Sequence, residues 1–180
     1  MQKIKCFFVG DEGVGKTSLF DAYTKRCCSP EFQNFDNYDI YNMYYEDIPI
    51  SIEFWDSNKK VFIDSLISNQ FPQIDVFLLC FSVVSEQSLE NIEKIWEPKI
   101  RQYSSNPSLI LIGCKNDLRT KYLENDTGVI KEEQKPIPIS KCIEIKEIIK
   151  AQDCIECSAY CRTNLENLLN SICQTFLQKI

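Results

Sequence analysis

The sequence predicts an α/β fold: a mostly parallel, six-stranded sheet covered by helices on both faces. Short, continuous apolar runs, typical of strands buried on both faces of a parallel sheet, recur along the chain. Segments with apolar residues at helical spacing alternate with them. A glycine-rich loop joins the first run to the first helix. In such a doubly wound sheet, ligands bind at the carboxyl ends of the strands.

The first half of the chain contains three predicted strands and one helix. Residues 4–9 form an apolar strand, and 16–25 follow the glycine-rich loop as a helix. Residues 40–45 and 50–55 have β-type patterns on either side of a short turn at 46–49. This arrangement predicts a β-hairpin.

The second half contains the remaining strands and three helices. Residues 76–81 and 109–112 are continuous apolar runs, and a short strand around Ile155 is the last. Helical spacing predicts one helix through Leu89, Ile92, Ile95, Trp96 and Ile100. A second is marked by Ile143, Ile145, Ile148 and Ile149. The last contains Leu165, Leu168, Leu169, Ile172, Cys173 and Phe176, with Thr163 or Asn164 as its N-cap.

Composition limits the class of protein. A chain of 180 residues with 44% hydrophobic content suits one domain spanning 1–180. The net charge of −6 argues against broad attraction to nucleic acid or anionic lipid. No apolar run approaches the roughly 20 residues that span a bilayer, so we expect a cytoplasmic monomer. Cys173 is too far from the end for a prenylation box, so location at the inner face of the plasma membrane would require a lipidated tail beyond residue 180.

The ten cysteines are predicted to be reduced, because no hydrophobic signal segment precedes them. Cys154, Cys157 and Cys161 approach a metal-ligand spacing, but there is no second C-x-x-C and no histidine. We therefore favour buried or half-buried free thiols over a metal site.

The stretch GDEGVGKTS at 10–18 has the spacing of a phosphate-binding loop. Gly10 and Gly15 let backbone N–H groups turn inward, Lys16 provides a cation for the β and γ phosphates, and the Thr17 hydroxyl can bind Mg²⁺. The loop follows a strand and opens a helix, as this chemistry requires. Glu12 is unexpected, because it brings a carboxylate toward a polyanion.

Two further motifs predict recognition of guanine. GCKND at 113–117 follows the strand at 109–112, and the Asp117 carboxylate can accept two N–H donors from a guanine edge that adenine lacks. ECSA at 156–159 follows the last strand, where a tight turn would present backbone N–H groups to the base oxygen. Together with the phosphate loop, these motifs point to GTP or GDP.

With these motifs in place, the chain resembles the Ras superfamily of small GTPases, and within it the Rho family. The Rho-like stretches are FDNY, FWD, FPQIDVFLLCFSVVS, SLENI, KNDLR and ECSA. Residues 120–138 match the Rho-type insert in position and length. The resemblance implies a small-GTPase fold and a switch in which segments around 27–38 and 56–70 rearrange with γ-phosphate and Mg²⁺.

The resemblance also implies roles for individual residues. Nucleotide would be bound by Glu12, Gly13, Val14, Gly15, Lys16, Thr17, Ser18, Lys115, Asp117, Leu118, Ser158 and Ala159. Mg²⁺ would be held by Thr17 directly and by Asp56 indirectly. Effector proteins would contact Gln33, Phe35, Asp36 and Tyr38, and an exchange factor is a further expected partner. Trp55 is expected to be partly buried.

Five positions depart from the family pattern. Glu12 replaces a loop glycine, Lys59 a glycine whose N–H meets the γ-phosphate, and Lys60 the glutamine that orients the hydrolytic water. Gln33 replaces a Mg²⁺-binding threonine, and Cys28 an aromatic that packs on guanine. No catalytic residue is therefore intact, and we expect very slow or absent hydrolysis. Lys59 or Lys60 could compensate by neutralising Glu12 or by contacting the γ-phosphate.

Alternative functions stay open at this point. One is a slow but active Rho GTPase that regulates the actin cytoskeleton, and another is a pseudo-GTPase interaction module with structural or no nucleotide. A P-loop ATPase or kinase is disfavoured by Asp117 and ECSA. An acid/base or nucleophile enzyme is disfavoured because the chain contains no histidine.

Overall fold

The computed structural model describes residues 1–24, 38–56, 73–124 and 135–179. In these ranges the strands are β1 (Gln2–Gly10), β2 (Tyr38–Tyr45), β3 (Ile48–Asp56), β4 (Val76–Ser82), β5 (Ser108–Cys114) and β6 (Asp153–Cys157). The α-helices are α1 (Lys16–Thr24), α2 (Glu86–Asn91), α3 (Glu97–Tyr103), α4 (Asn116–Leu123), α5 (Ile139–Ile149) and α6 (Leu165–Leu177). A π-helical turn, Ile92–Trp96, joins α2 to α3.

The strands form one six-stranded sheet in the order β2-β3-β1-β4-β5-β6. Only the β2–β3 pair is antiparallel, and the other neighbours are parallel. The predicted mostly parallel α/β fold is therefore confirmed. The carboxyl ends of the parallel strands β1, β4, β5 and β6 lie at one edge of the sheet. The predicted motifs begin at this edge.

Hydrophobic cores lie on both faces of the sheet. One core packs Leu19 of α1 and Leu168 and Ile172 of α6 against the sheet. The other packs Leu89 of α2 and Ile145 of α5 against the opposite face. β4 and β5 are buried along their whole lengths, as their continuous apolar runs predict.

The hairpin between β2 and β3 closes through a two-residue turn. Glu46 and Asp47 have positive φ values of 46° and 64°, and Tyr45 pairs with Ile48. Positive φ at both positions is the geometry that matches the twist of paired strands. The turn is therefore tighter than the four residues predicted.

The helix predicted through Leu89, Ile92, Ile95, Trp96 and Ile100 is interrupted by the π-helical turn. Pro98 has no N–H to donate to the carbonyl four residues earlier, and its ring crowds that carbonyl. The N–H of Glu97 instead bonds to the carbonyl of Ile92, five residues back. This change of register leaves Ile95 partly exposed and makes its predicted core position wrong.

The apolar face of α5 is also different from the prediction. Cys142, Ile145 and Ile149 are buried at intervals of three and four residues, whereas Ile143 and Ile148 are exposed. The helix was correctly predicted, but two of its four marker residues face solvent.

At the start of α6, Asn164 is the N-cap residue but makes no side-chain capping bond. Its φ is 58°, in the left-handed region, and its Nδ2 donates to the carbonyl of Glu156 at 2.8 Å. Asn164 is thus the N-cap residue, as predicted, but its side chain makes no capping bond and its amide binds the carbonyl of Glu156 in β6.

The two ends of the predicted insert at 120–138 lie within the described residues, and of these only the first residues are helical. Residues 120–123 continue α4. Ile137 is buried and its N–H donates to the carbonyl of Val83 at 2.8 Å. The charged stretch at 125–134 lies outside the described residues.

Most cysteines in the described ranges are core residues. Cys6, Cys80, Cys114, Cys142, Cys157 and Cys173 are buried free thiols, Cys154 is half-buried, and Cys161 is exposed. Burial raises the pKa of Cys142 to about 11 and that of Cys154 to about 12, so both stay protonated near neutral pH. Among the described helices, none has the length and apolar character needed to cross a membrane.

The two faces of α5 allow a matched test of the core. Ile145→Ala removes a side chain that is 5% exposed, and should cost about 2 to 4 kcal/mol in the free energy of unfolding. Ile143→Ala makes the same change where exposure is 50%, and should cost well under 1 kcal/mol. Urea denaturation of both variants checks this, and equal losses would contradict the assigned face.

Candidate functional site

The loop from Gly10 to Gly15 connects β1 to α1 at the centre of the sheet edge. A Cβ on Gly10 would lie 2.1 Å from the carbonyl oxygen of Cys80, and its φ is 147°. Gly15 has a φ of 122°, and its Cβ would lie 3.2 Å from that of Cys114. Both positions therefore require glycine, in agreement with the predicted phosphate loop.

Lys16 places a cation inside this loop. The residue is only 4% exposed, and its Nζ donates to the carbonyls of Gly10 at 2.9 Å and Asp11 at 2.6 Å. Within the described ranges no carboxylate forms an ion pair with it. A buried ammonium whose partners among the described residues are carbonyls is well suited to an anionic ligand at the N-terminus of a helix.

Thr17 and Asp56 meet beside Lys16, from α1 and the end of β3. The Thr17 hydroxyl donates to Asp56 Oδ2 at 2.8 Å. Asp56 Oδ1 is buried and finds no hydrogen-bond donor in the described part of the chain. A hydroxyl and an unsatisfied carboxylate oxygen are the hard oxygen ligands that Mg²⁺ prefers, so these residues fit a magnesium ion.

A cavity of about 330 Å³ opens next to the loop. Of the predicted nucleotide-binding residues it brings together Gly15, Ser18, Lys115, Asp117, Leu118, Ser158 and Ala159. Leu19, Cys114 and Tyr160 also line it and were not predicted. Cys114 lies within the GCKND motif and Tyr160 directly follows ECSA, which was the available signal.

Asp117 is oriented by a neighbour across this cavity. The Ser158 hydroxyl donates to Asp117 Oδ1 at 2.6 Å and accepts from the N–H of Cys161 at 3.1 Å. The loops that contain the two predicted base-recognition motifs are thus joined by their own functional side chains. A carboxylate held in this way can accept paired N–H donors from the edge of a base.

Two contacts lock the base cavity to its surroundings. Lys115, in the left-handed conformation, donates from Nζ to the carbonyl of Gly13 at 2.7 Å, which ties the base loop to the phosphate loop. Arg119 makes a bidentate pair with Glu156 at 2.7 and 2.6 Å, with side chains only 12% and 16% exposed. The structural role of Arg119 and Glu156 was not predicted from their motifs.

Glu12 is exposed, at the rim of a second cavity of about 290 Å³ between the phosphate loop and α2. Gly13, Ser85, Gln87 and Lys115 are among the other lining residues. In the described ranges Glu12 forms no ion pair. Val14, also predicted to bind nucleotide, is buried in the loop and lines this second cavity.

Several predicted residues lie outside the described ranges: Cys28, Gln33, Phe35, Asp36, Lys59 and Lys60. Tyr38 is described, as the first residue of β2. Its ring stacks on Trp55 with centroids 4.5 Å apart, and both side chains are half-buried. The predicted partial burial of Trp55 is confirmed.

The fold and the site define a class of protein: a P-loop protein with a carboxylate-bearing base pocket beside its phosphate loop. Comparison with family models then identifies the family. The chain matches the model of the Ras family over residues 5–178 and belongs to that family. Its members are small GTPases, which bind guanine nucleotide, typically with Mg²⁺, and act as switches that interact with effectors and exchange factors.

The Arg119–Glu156 pair allows a test of the base pocket. Glu156→Gln removes the charge that faces the Arg119 guanidinium, and should lower the free energy of unfolding by about 1 to 3 kcal/mol. It should also weaken guanine-nucleotide binding, because the loops with Asp117 and Ser158 lose their brace. Glu90→Gln breaks the exposed Lys94–Glu90 pair and should change neither quantity measurably. Denaturation and nucleotide titration of both variants check this. Equal stability and equal nucleotide affinity in the two variants would contradict a role for the Arg119–Glu156 pair.

Proposed function

We propose that this chain is an atypical, Rho-type member of the Ras family, with very slow or absent GTP hydrolysis. It would bind GTP or GDP with Mg²⁺ and serve as a signalling switch or scaffold. The observation that carries the proposal is a contrast within the phosphate loop. Lys16 is held by loop carbonyls in a complete cradle, whereas the carboxylate of Glu12 lies in the same loop without a cation from the described residues.

The residues for binding form a consistent set. The Lys16 ammonium would meet the β and γ phosphates, and Thr17 and Asp56 would hold Mg²⁺ beside them. When bound, Mg²⁺ supplies charge neutralisation to the phosphate oxygens. Asp117 would accept the two N–H donors of guanine while Ser158 keeps its carboxylate in place.

The residues for hydrolysis are different. A carboxylate about 4 Å from a phosphate oxygen costs about 4 kcal/mol per charge pair at an effective dielectric constant near 20. Glu12 also crowds the position of the attacking water. Lys60 would replace the water-orienting glutamine, and an ammonium has no lone pair with which to accept a proton. Each defect at a preorganised phosphoryl-transfer site costs orders of magnitude in rate.

The Rho-type assignment and the protein partners also belong to this proposal. They are supported by the sequence stretches FDNY, FWD and SLENI and by the charged segment at 120–138. Effector proteins would contact Gln33, Phe35, Asp36 and Tyr38. Of these residues Tyr38 lies in the described part of the chain, where its ring stacks on that of Trp55.

The test of this function is nucleotide content followed by a single turnover. We expect the purified protein to contain guanine nucleotide, and added GTP to remain mostly unhydrolysed over hours by chromatography. Rapid conversion to GDP would contradict impaired hydrolysis and favour an active GTPase. If the protein neither contains nor binds nucleotide, it is an interaction module.

Base selectivity is tested by thermal stability. GTP with Mg²⁺ should raise the melting temperature, because a ligand that binds only the folded state stabilises it, by about 2.7 kcal/mol at a hundredfold excess over Kd. ATP should produce no such shift, and Asp117→Ala should abolish the shift by GTP. An equal shift with ATP would point instead to a P-loop ATPase.

The compensation of Glu12 by Lys59 and Lys60 has its own test. Changing both lysines to Ala should weaken GTP binding about tenfold, since a hydrogen bond to a charged group contributes about 1.5 to 3 kcal/mol. The control changes Lys94 and Lys146, two lysines of the helices, to Ala and should leave affinity unchanged. Equal GTP affinity in the first variant and the wild type would rule out compensation.

A further inference from the structure

The carboxylate of Asp11, next to Glu12, is fully engaged by one helical segment. Asn91 Nδ2 donates to its Oδ2 at 2.7 Å, and Trp96 Nε1 donates to its Oδ1 at 2.7 Å. Both bonds are partly buried. Hydrogen bonds to a charged acceptor are roughly twice as strong as neutral ones, so this is a strong link between the phosphate loop and the α2–α3 segment.

The π-helical turn makes this link possible. In an α-helix, residues five apart point about 140° away from each other. Asn91 and Trp96 are five apart, but the turn Ile92–Trp96 has i to i+5 bonding, which brings such pairs toward one face. The Pro98 that follows prevents an ordinary α-helical bond at this place. Such turns occur frequently at functional sites.

The backbone of the same residue contacts the phosphate-binding cation. The carbonyl of Asp11 accepts a hydrogen bond from Lys16 Nζ at 2.6 Å. This is the shorter of the two bonds that Lys16 makes to the loop. A continuous path of hydrogen bonds therefore runs from Asn91 and Trp96, through Asp11, to the Lys16 ammonium. Movement of the Asp11 side chain would turn the peptide group that holds this ammonium.

We infer that Asn91 and Trp96 are positioning residues for the phosphate loop. Through the Asp11 carboxylate they hold the Lys16 ammonium where it grips the phosphates, and they thereby slow nucleotide release. The inference rests on the proposed nucleotide binding. The two donors also fix the direction of the Asp11 carboxylate, toward the α2–α3 segment.

The test is the dissociation rate of fluorescently labelled GDP from the Mg²⁺-loaded protein. Trp96→Phe removes the N–H donor but keeps an aromatic ring, and Asn91→Ala removes the other donor. Each should raise the dissociation rate about tenfold. Preference for guanine over adenine nucleotides should not change, because the Asp117 pocket is untouched.

A double-mutant cycle with Asp11→Asn tests the path itself. If Trp96 acts through Asp11, the variant with both Asp11→Asn and Trp96→Phe should release GDP no faster than the faster single variant. If the increases in GDP dissociation rate from the two single variants multiply in the double variant, Trp96 acts independently of Asp11. That result would overturn the inference.

Two controls change the same segment without touching Asp11. Ile95→Ala lies within the π-helical turn, and Lys99→Ala removes the ammonium that lies 5.3 Å from the centroid of the Trp96 ring. Both should leave the rate within twofold of wild type. Rates within twofold for Trp96→Phe and Asn91→Ala, with or without a lower melting temperature, would overturn the inference. If the wild-type protein binds no GDP, the proposed function fails as well, so the two failures are distinguishable.

Discussion

The buried ammonium of Lys16 is the constraint around which the site is built. A charge that is 4% exposed and bonded to two carbonyls is stable only where the backbone is held tightly and an anion can complete its environment. The close approach of Gly10 to Cys80 and of Gly15 to Cys114 holds the loop down onto β4 and β5. A side chain at position 10 or 15 would collide with β4 or β5, so only glycine fits there. The sheet itself therefore shapes the phosphate cradle.

The loop is held from two directions. On the base side, Lys115 bonds to the carbonyl of Gly13, and the Arg119–Glu156 pair joins α4 to β6. On the helix side, the Asp11 carboxylate bonds to Asn91 and Trp96. Both contacts reach the phosphate loop at its backbone or at the side chain of Asp11, which also holds Lys16 through its carbonyl.

The sequence was sufficient for features that depend on local chemistry. Continuous apolar runs predicted the buried strands, and the phosphate-loop, GCKND and ECSA motifs predicted most of the residues that line one cavity. It was insufficient where tertiary contacts decide. Ile143 and Ile148 have the same side chain as Ile145, and only the position of α5 on the sheet determines which are buried. Asn164 is the N-cap residue of α6, but its side chain makes no capping bond and its amide donates to the carbonyl of Glu156.

The π-helical turn shows a different limit of sequence reasoning. Pro98 was a visible signal that the α-helical register would break, but the consequence depends on what lies beside the helix. Here the altered register turns Trp96 toward Asp11 and leaves Ile95 partly exposed. A spacing rule with a fixed period of 3.6 residues could not find the contact between Trp96 and the phosphate loop.

Binding and hydrolysis depend on different parts of this molecule. Lys16, Asp56 and Asp117 lie on or directly beside the central strands, where packing on both faces holds their backbone. Asp11 and Glu12, the two neighbouring acidic residues of the phosphate loop, also differ in how firmly the structure holds their side chains. Asp11 has both carboxylate oxygens bonded to donors, whereas Glu12 is exposed. Because the Asp11 carboxylate is held against the α2–α3 segment, Glu12 is the acidic residue of the loop whose side chain is left exposed. One nearby cation could offset the Glu12 charge and preserve binding, but it could not restore a residue able to accept a proton from water.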